Sequence, residues 1–119
     1  MGIQLNIITP LHQSTSRAYL DRMNDDKVYC MNVARKYGSD YWDGNRRYGY
    51  GGYRYIPGRW KIVAEQLIKH YNLSNGSSLL DIGCGKGHLL YELKLLLPEI
   101  KIKGFDISNH GINNSKEEI

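Results

Sequence analysis

Apolar positions recur at helical spacing over Trp60, Val63, Ala64, Leu67, Ile68 and Tyr71, which predicts an amphipathic helix. Pro57 and Gly58 introduce it, and Ser74, Asn75 and Gly76 end it. The short apolar run Ser78–Ile82 then reads as a strand and leads into a glycine-rich turn. From about His88, Leu89, Leu90, Leu93, Leu96 and Leu97 share one broad helical face until Pro98 stops the helix. Ile100 and Ile102 alternate with lysines toward Phe105, predicting a second strand over Ile100–Asp106. Strand, helix and strand make a βαβ unit, whose strands are expected to run parallel with a right-handed crossover. Ser108 is placed to cap a further helix, within which the chain stops at Ile119.

Upstream the pattern is weaker. Ile3 to Ile8 is a short apolar piece ended by Pro10, an edge strand or a loose arm. Thr15 to Tyr37 favours helix in two pieces, with a capping signal at Asn24 and Asp25 and a stop at Gly38; Tyr29, Val33 and Tyr37 lie along one face. Between Tyr37 and Trp60, turn formers recur every few residues with no useful period, predicting a loop or hairpin-like segment. The expected organisation is a helical and Tyr/Gly/Arg-rich cap over residues 1–57, followed by the first helix and βαβ unit over residues 58–119.

Composition narrows the class. The 119 residues suit one small domain, and apolar and charged shares of 41% and 24% are ordinary for a globular chain, which argues against wholesale disorder. The net charge of +4 is mild and mostly interleaved, so no nucleic-acid field covers the molecule. No apolar run approaches the length of a membrane span, and the N-terminus lacks signal-peptide order, leaving the cytoplasm as the default location. Cys30 and Cys84 stand apart, with no second pair at metal-ligand spacing, and read as free thiols; no metal site is expected.

The candidate chemistry sits in Leu80-Asp81-Ile82-Gly83-Cys84-Gly85-Lys86-Gly87. A strand that turns through glycines into a helix presents free backbone N–H groups at the positive end of the helix dipole. Gly83, Gly85 and Gly87 allow positive φ and close approach of a ligand to the backbone. Asp106, nineteen residues after Gly87, ends the second strand where a carboxylate can accept both hydroxyls of a ribose. A dinucleotide fingerprint needs G-x-G-x-x-G, but here the third glycine arrives one position early and His88 takes its place, which disfavours NAD.

Asp81-Ile82-Gly83-Cys84-Gly85-Lys86-Gly87 resembles the first motif of class I S-adenosylmethionine-dependent methyltransferases, an acidic residue followed by x-G-x-G-x-G. The resemblance covers about residues 60 to 119 and implies an α/β fold, the start of a Rossmann-like doubly wound sheet that looks truncated after its second strand. It implies S-adenosyl-L-methionine as cofactor, with Gly83, Cys84, Gly85 and Gly87 against its methionine part. Asp81 would help hold the loop and the ammonium group, Asp106 would grip the ribose, and Ile107 would flank the adenine. In that family the acceptor-positioning residues generally follow later strands, so no catalytic residue is named here. The acceptor is open among small metabolite, sugar, lipid, protein and RNA, and the sequence gives no oligomeric state.

Six Tyr, two Trp, six Gly and four Arg crowd Tyr37 to Trp60, and three readings compete for them. The segment is an aromatic cap packed over the first helices and sheet edge, a lid over the pocket, or a stacking platform for single-stranded nucleic acid or a glycan. Asp40, Asp43 and the modest charge count against nucleic acid. The lid reading expects Arg59→Ala or Tyr55→Ala to weaken ligand binding without unfolding. Two alternatives stand beside the methyltransferase: a non-catalytic module that binds nucleic acid or glycan through this segment, and an NAD-dependent oxidoreductase. The four scattered histidines read first as surface or helix-end residues, with a pocket-facing reading open for His88 alone because it follows the glycine loop, while Cys84 reads as a small loop residue with no adjacent base to make it a nucleophile.

Overall fold

A computed structural model of the chain describes residues 2–17 and 19–119. Two parallel strands, β1 (Ser78–Ile82) and β2 (Lys101–Phe105), form its sheet, in the register Ser78↔Lys101 through Ile82↔Phe105. The ladder continues past β1, because the Gly83 and Cys84 N–H groups both donate to the Phe105 carbonyl at 2.7 and 3.1 Å. Residues on alternate sides of the strands fare differently. Leu79 and Ile102 lie on the side covered by helices, whereas Leu80, Ile82 and Phe105 on the other side are 54%, 80% and 56% exposed.

The covering helices are α5 (Lys61–Tyr71) and α6 (His88–Leu96). In α5 the predicted face points inward, burying Val63 and Ala64, and the helix ends where Asn72 takes the left-handed conformation and Leu73 N–H returns to the Ile68 carbonyl. The core is Ala64 with Leu90 and Leu93 of α6, against which Ile68, Leu79, Leu96 and Ile102 pack. Ile100 is fully buried but precedes the strand, which starts at Lys101, one residue later than the alternation suggests. Its N–H bonds the Leu97 carbonyl and its carbonyl accepts from Lys94 Nζ, so the residue belongs to the helix-to-strand turn.

The N-terminal half differs more from expectation. No strand forms over residues 3–8; instead α1 (Thr9–Gln13) takes Pro10 into its first turn, where a proline needs no N–H partner. The predicted helical stretch is indeed split, into α2 (Tyr19–Met23) and α3 (Lys27–Ala34), but Asp26 rather than Asn24 or Asp25 caps α3, accepting from Tyr29 N. Asp25 is taken by Arg47, whose Nε and guanidinium N–H groups both reach its carboxylate, at 2.9 and 2.7 Å. The segment expected to be loop contains α4 (Ser39–Trp42) and a 3₁₀ helix over Arg46–Tyr48. Tyr50 and Gly52 N–H groups then fold back onto the Tyr41 and Trp42 carbonyls. Ser108 caps α7 (Asn109–Asn113) as expected, though α7 ends well before Ile119.

No helix among the described residues is long and apolar enough to cross a membrane.

Candidate cofactor site

The glycine loop owes its shape to three left-handed residues. Gly83, Gly85 and Gly87 have φ of +86°, +57° and +69°, which ordinary side chains rarely adopt. Gly87 ends the loop as the N-cap of α6, with no side chain to occupy the helix's first N–H groups. A Cβ at Gly83 would meet nothing within 4 Å, so the space above it is open. The same atom at Gly85 would come to 2.7 Å from the Trp42 ring, and at Gly87 it would strike Ile119. One glycine thus faces open space while two are roofed by this chain's own side chains.

Asp106 stands beside this loop and organises it. One carboxylate oxygen accepts from Gly85 N and the other from Ser108 N, each at 2.7 Å. Each oxygen keeps a second lone pair for a ligand hydroxyl. Asp81 is half-buried in β1 opposite Gly104, and burial together with the charge of Asp106 pushes its carboxyl pKa up. The Cys84 thiol is also pushed up, first by burial and then by Asp81 and Asp106, which keeps it protonated. Ile107 projects from the strand end and is 82% exposed. The structure therefore brings Asp81, Gly83, Cys84, Gly85 and Asp106 together at one end of the two strands, with Ile107 at the margin.

Sequence reasoning passed over the groups that lock the cap onto this loop. Lys86, 7% exposed, sends its Nζ to both Asp43 oxygens at 2.7 and 2.8 Å and to the Tyr53 carbonyl at 2.9 Å. His110 Nε2 meets the same carboxylate at 2.7 Å. Burial alone would raise the Asp43 pKa, but the hydrogen bonds from Lys86, His110 and Tyr53 N and the Lys86 charge hold it down at about 2. Trp42 lies across Gly85, stacks on Tyr50 at 5.3 Å, and donates from Nε1 to Ser108 Oγ at 2.7 Å. That hydroxyl in turn donates to the Tyr37 carbonyl and accepts from Gly111 N. On α6, the buried Glu92 accepts from Tyr55 OH and Gly58 N, at 2.9 and 3.0 Å. Arg59 stays at the surface, where its guanidinium reaches Thr15 Oγ1 at 3.3 Å. The one readable signal for this lock was an acid, Asp43, embedded among tyrosines and arginines; its partners lie 43 and 67 residues away.

A strand, a left-handed glycine loop, a helix and a parallel strand ending in an acid fit the start of a Rossmann-like fold. Residues 73–119, under half of the chain, match a family model described as "Methyltransferase domain", so the C-terminal part of the chain is similar to methyltransferase domains. No match to the chain was found among curated proteins or among solved structures.

Proposed function

We propose that the loop from Asp81 to Gly87 binds S-adenosyl-L-methionine and that the protein transfers its methyl group to a nucleophilic acceptor. The observation that carries this reading is the pairing of open backbone at Gly83 with two carboxylates, Asp81 and Asp106, where burial and then the Asp106 charge raise the cost of ionising Asp81. A ligand bearing an ammonium and a sulfonium relieves that repulsion. The pyrophosphate of NAD would add to it, which supports the same choice that the glycine spacing suggests.

When bound, the cofactor supplies an electrophilic methyl group, with the C–S bond breaking as the acceptor's lone pair attacks in line. The chain's own contribution is binding and orientation. Asp106 holds the loop through Gly85 N and offers its remaining lone pairs to the ribose hydroxyls. The Gly83 and Cys84 N–H groups are already committed to Phe105, so the loop's shape is set before a ligand arrives. Asp81 supplies negative charge for the ammonium group, and Ile107 an apolar surface for the adenine.

The Tyr/Gly/Arg segment is best read as a cap over this site. Its aromatic faces are spent internally: Trp42 stacks on Tyr50, and Tyr53 stacks on His88 at 4.6 Å. That arrangement favours the cap over a stacking platform for nucleic acid or glycan, and hence the enzyme over the non-catalytic module.

Calorimetry with S-adenosylhomocysteine tests the proposal. Saturable binding that Asp106→Ala abolishes, with the far-ultraviolet spectrum retained, is the expected result. Absence of binding to the folded chain, or tighter binding of NAD, would overturn it.

A further inference from the structure

A cavity of about 370 Å³ opens between the aromatic segment and the start of α6, with Tyr53, Arg54, Tyr55, Lys86, His88 and Lys116 among its lining residues. Its charge is one-sided. Lys86 is neutralised by Asp43, but Arg54 and Lys116 make no ion pair among the described residues, and no carboxylate lines the space. The nearest buried acid, Glu92, is already held by Tyr55 OH and Gly58 N. Lys116 is kept in place by the faces of Tyr55 and Tyr91, its Nζ 4.7 and 5.2 Å from the ring centroids.

His88 points to a ligand independently of these cations. The residue is only 5% exposed, and its ring makes no hydrogen bond among the described residues. Yet no sealed side-chain nitrogen or oxygen there lacks a partner, so the ring nitrogens must open onto the cavity. Tyr53 clamps the ring face-on and Tyr55 edge-on, at 4.6 and 5.7 Å. Burial, and then the charges of Lys86 and Lys116, push its pKa down to about 4, leaving a neutral ring with one N–H to donate. A rigidly held donor that opens onto a cavity lined by free cations is placed to bond a ligand's anionic group there. His88 is also the first residue of α6, so the helix's positive end lies beside its ring.

We propose that this cavity binds a small molecule through an anionic group, a carboxylate or a phosphate ester, seated between Arg54 and Lys116 and hydrogen-bonded to the His88 ring. The site uses none of Asp81, Gly83, Cys84, Gly85 and Asp106, so it does not depend on the cofactor reading above.

Inorganic phosphate and succinate, titrated separately into the full chain at an ionic strength fixed with sodium chloride, are the probes. Nuclear magnetic resonance would follow the His88 ring protons and the amides of residues 53–55 and 86–88. A saturable shift confined to these signals is expected, from phosphate alone for a phosphate-ester site and from succinate for a carboxylate site. Arg54→Gln changes an exposed, unpaired side chain and leaves the fold intact; it should weaken binding about tenfold, as loss of one charge-assisted hydrogen bond does. Lys116→Gln should act alike, and His88→Phe, which keeps a stacked ring, should lose the donor's share. The proposal is overturned if neither anion gives a saturable shift, if the shifts spread over the basic surface, or if Arg54→Gln and Lys116→Gln both leave the constants unchanged.

Discussion

At Gly104, in the middle of β2, a methyl group would come within 2.6 Å of the Cys84 sulfur and 2.9 Å of Leu90 Cδ1. The glycine loop is seated on the strand through that contact, so Gly104→Ala should cost about 1–3 kcal/mol in urea denaturation and loosen cofactor binding with it. Asp43→Ala should cost more, about 3 kcal/mol, because it strands the Lys86 ammonium in a buried place with only the Tyr53 carbonyl. The His88 ring sets a pH dependence. Its pKa near 4 lies below the unfolded value of about 6.5, so between these values the unfolded chain binds the extra proton. The stability it contributes is full above about pH 6.5 and falls away toward pH 4, by roughly 3 kcal/mol at most. His88→Phe should flatten that slope; a slope of wild-type size in the variant would mean that other groups cause it. At this scale the loop glycines were legible, since positive φ leaves few alternatives to glycine. The Asp43–Lys86 pair was not, because Lys86 fills a free position of the motif and its partner is set by tertiary folding alone.

Elements with their own period were the readable ones. α5 and α6 carry leucine, isoleucine and valine at helical spacing beside strands of five residues, and all four form where the pattern puts them, to within a few residues. Among the elements that went unseen, α4 and the 3₁₀ helix of Arg46–Tyr48 are too short to show a period. What holds them is the Asp25–Arg47 ion pair, the bonds to Tyr41 and Trp42 carbonyls, and edge-to-face tyrosines, none of which leaves a local signature. The apolar run of β1 and the alternation of β2 were also readable, but they cannot say that one side goes uncovered. Leu80, Ile82 and Phe105 form that side, with Ile107 beside them, and an apolar surface of this sort is adhesive. The 119-residue chain should therefore enhance the fluorescence of anilinonaphthalene sulfonate in its folded state. Ile82→Lys together with Phe105→Lys should remove most of that signal while the urea midpoint stays nearly constant; an unchanged signal would place the dye elsewhere.

Across the whole molecule, two halves meet at one tryptophan. The helices α1 and α2 bury no residue, and the Cα radius of gyration of 15.9 Å exceeds the roughly 13.5 Å of a compact domain this long. The N-terminal half thus leans on its contacts with the βαβ unit, and Trp42 is central among them: it is 6% exposed, roofs Gly85, touches Gly111 and bonds Ser108. Lys86 and Glu92 make further ties, each gathering donors or acceptors from the N-terminal half into α6 or its loop. If the cap is a separable layer, removing its wedge should release residues 35–58 before the sheet and α6 yield. Trp42→Ala is then expected to lose about 3–5 kcal/mol of cap stability and to expose Arg46, Arg47 and Arg54 to trypsin under native conditions. The amides of Leu90 and Leu93 should keep their hydrogen-exchange protection in the same sample. Equal loss of protection in both halves would instead mean that cap and βαβ unit unfold as one body, and a lid motion over the glycine loop would then have no hinge to use.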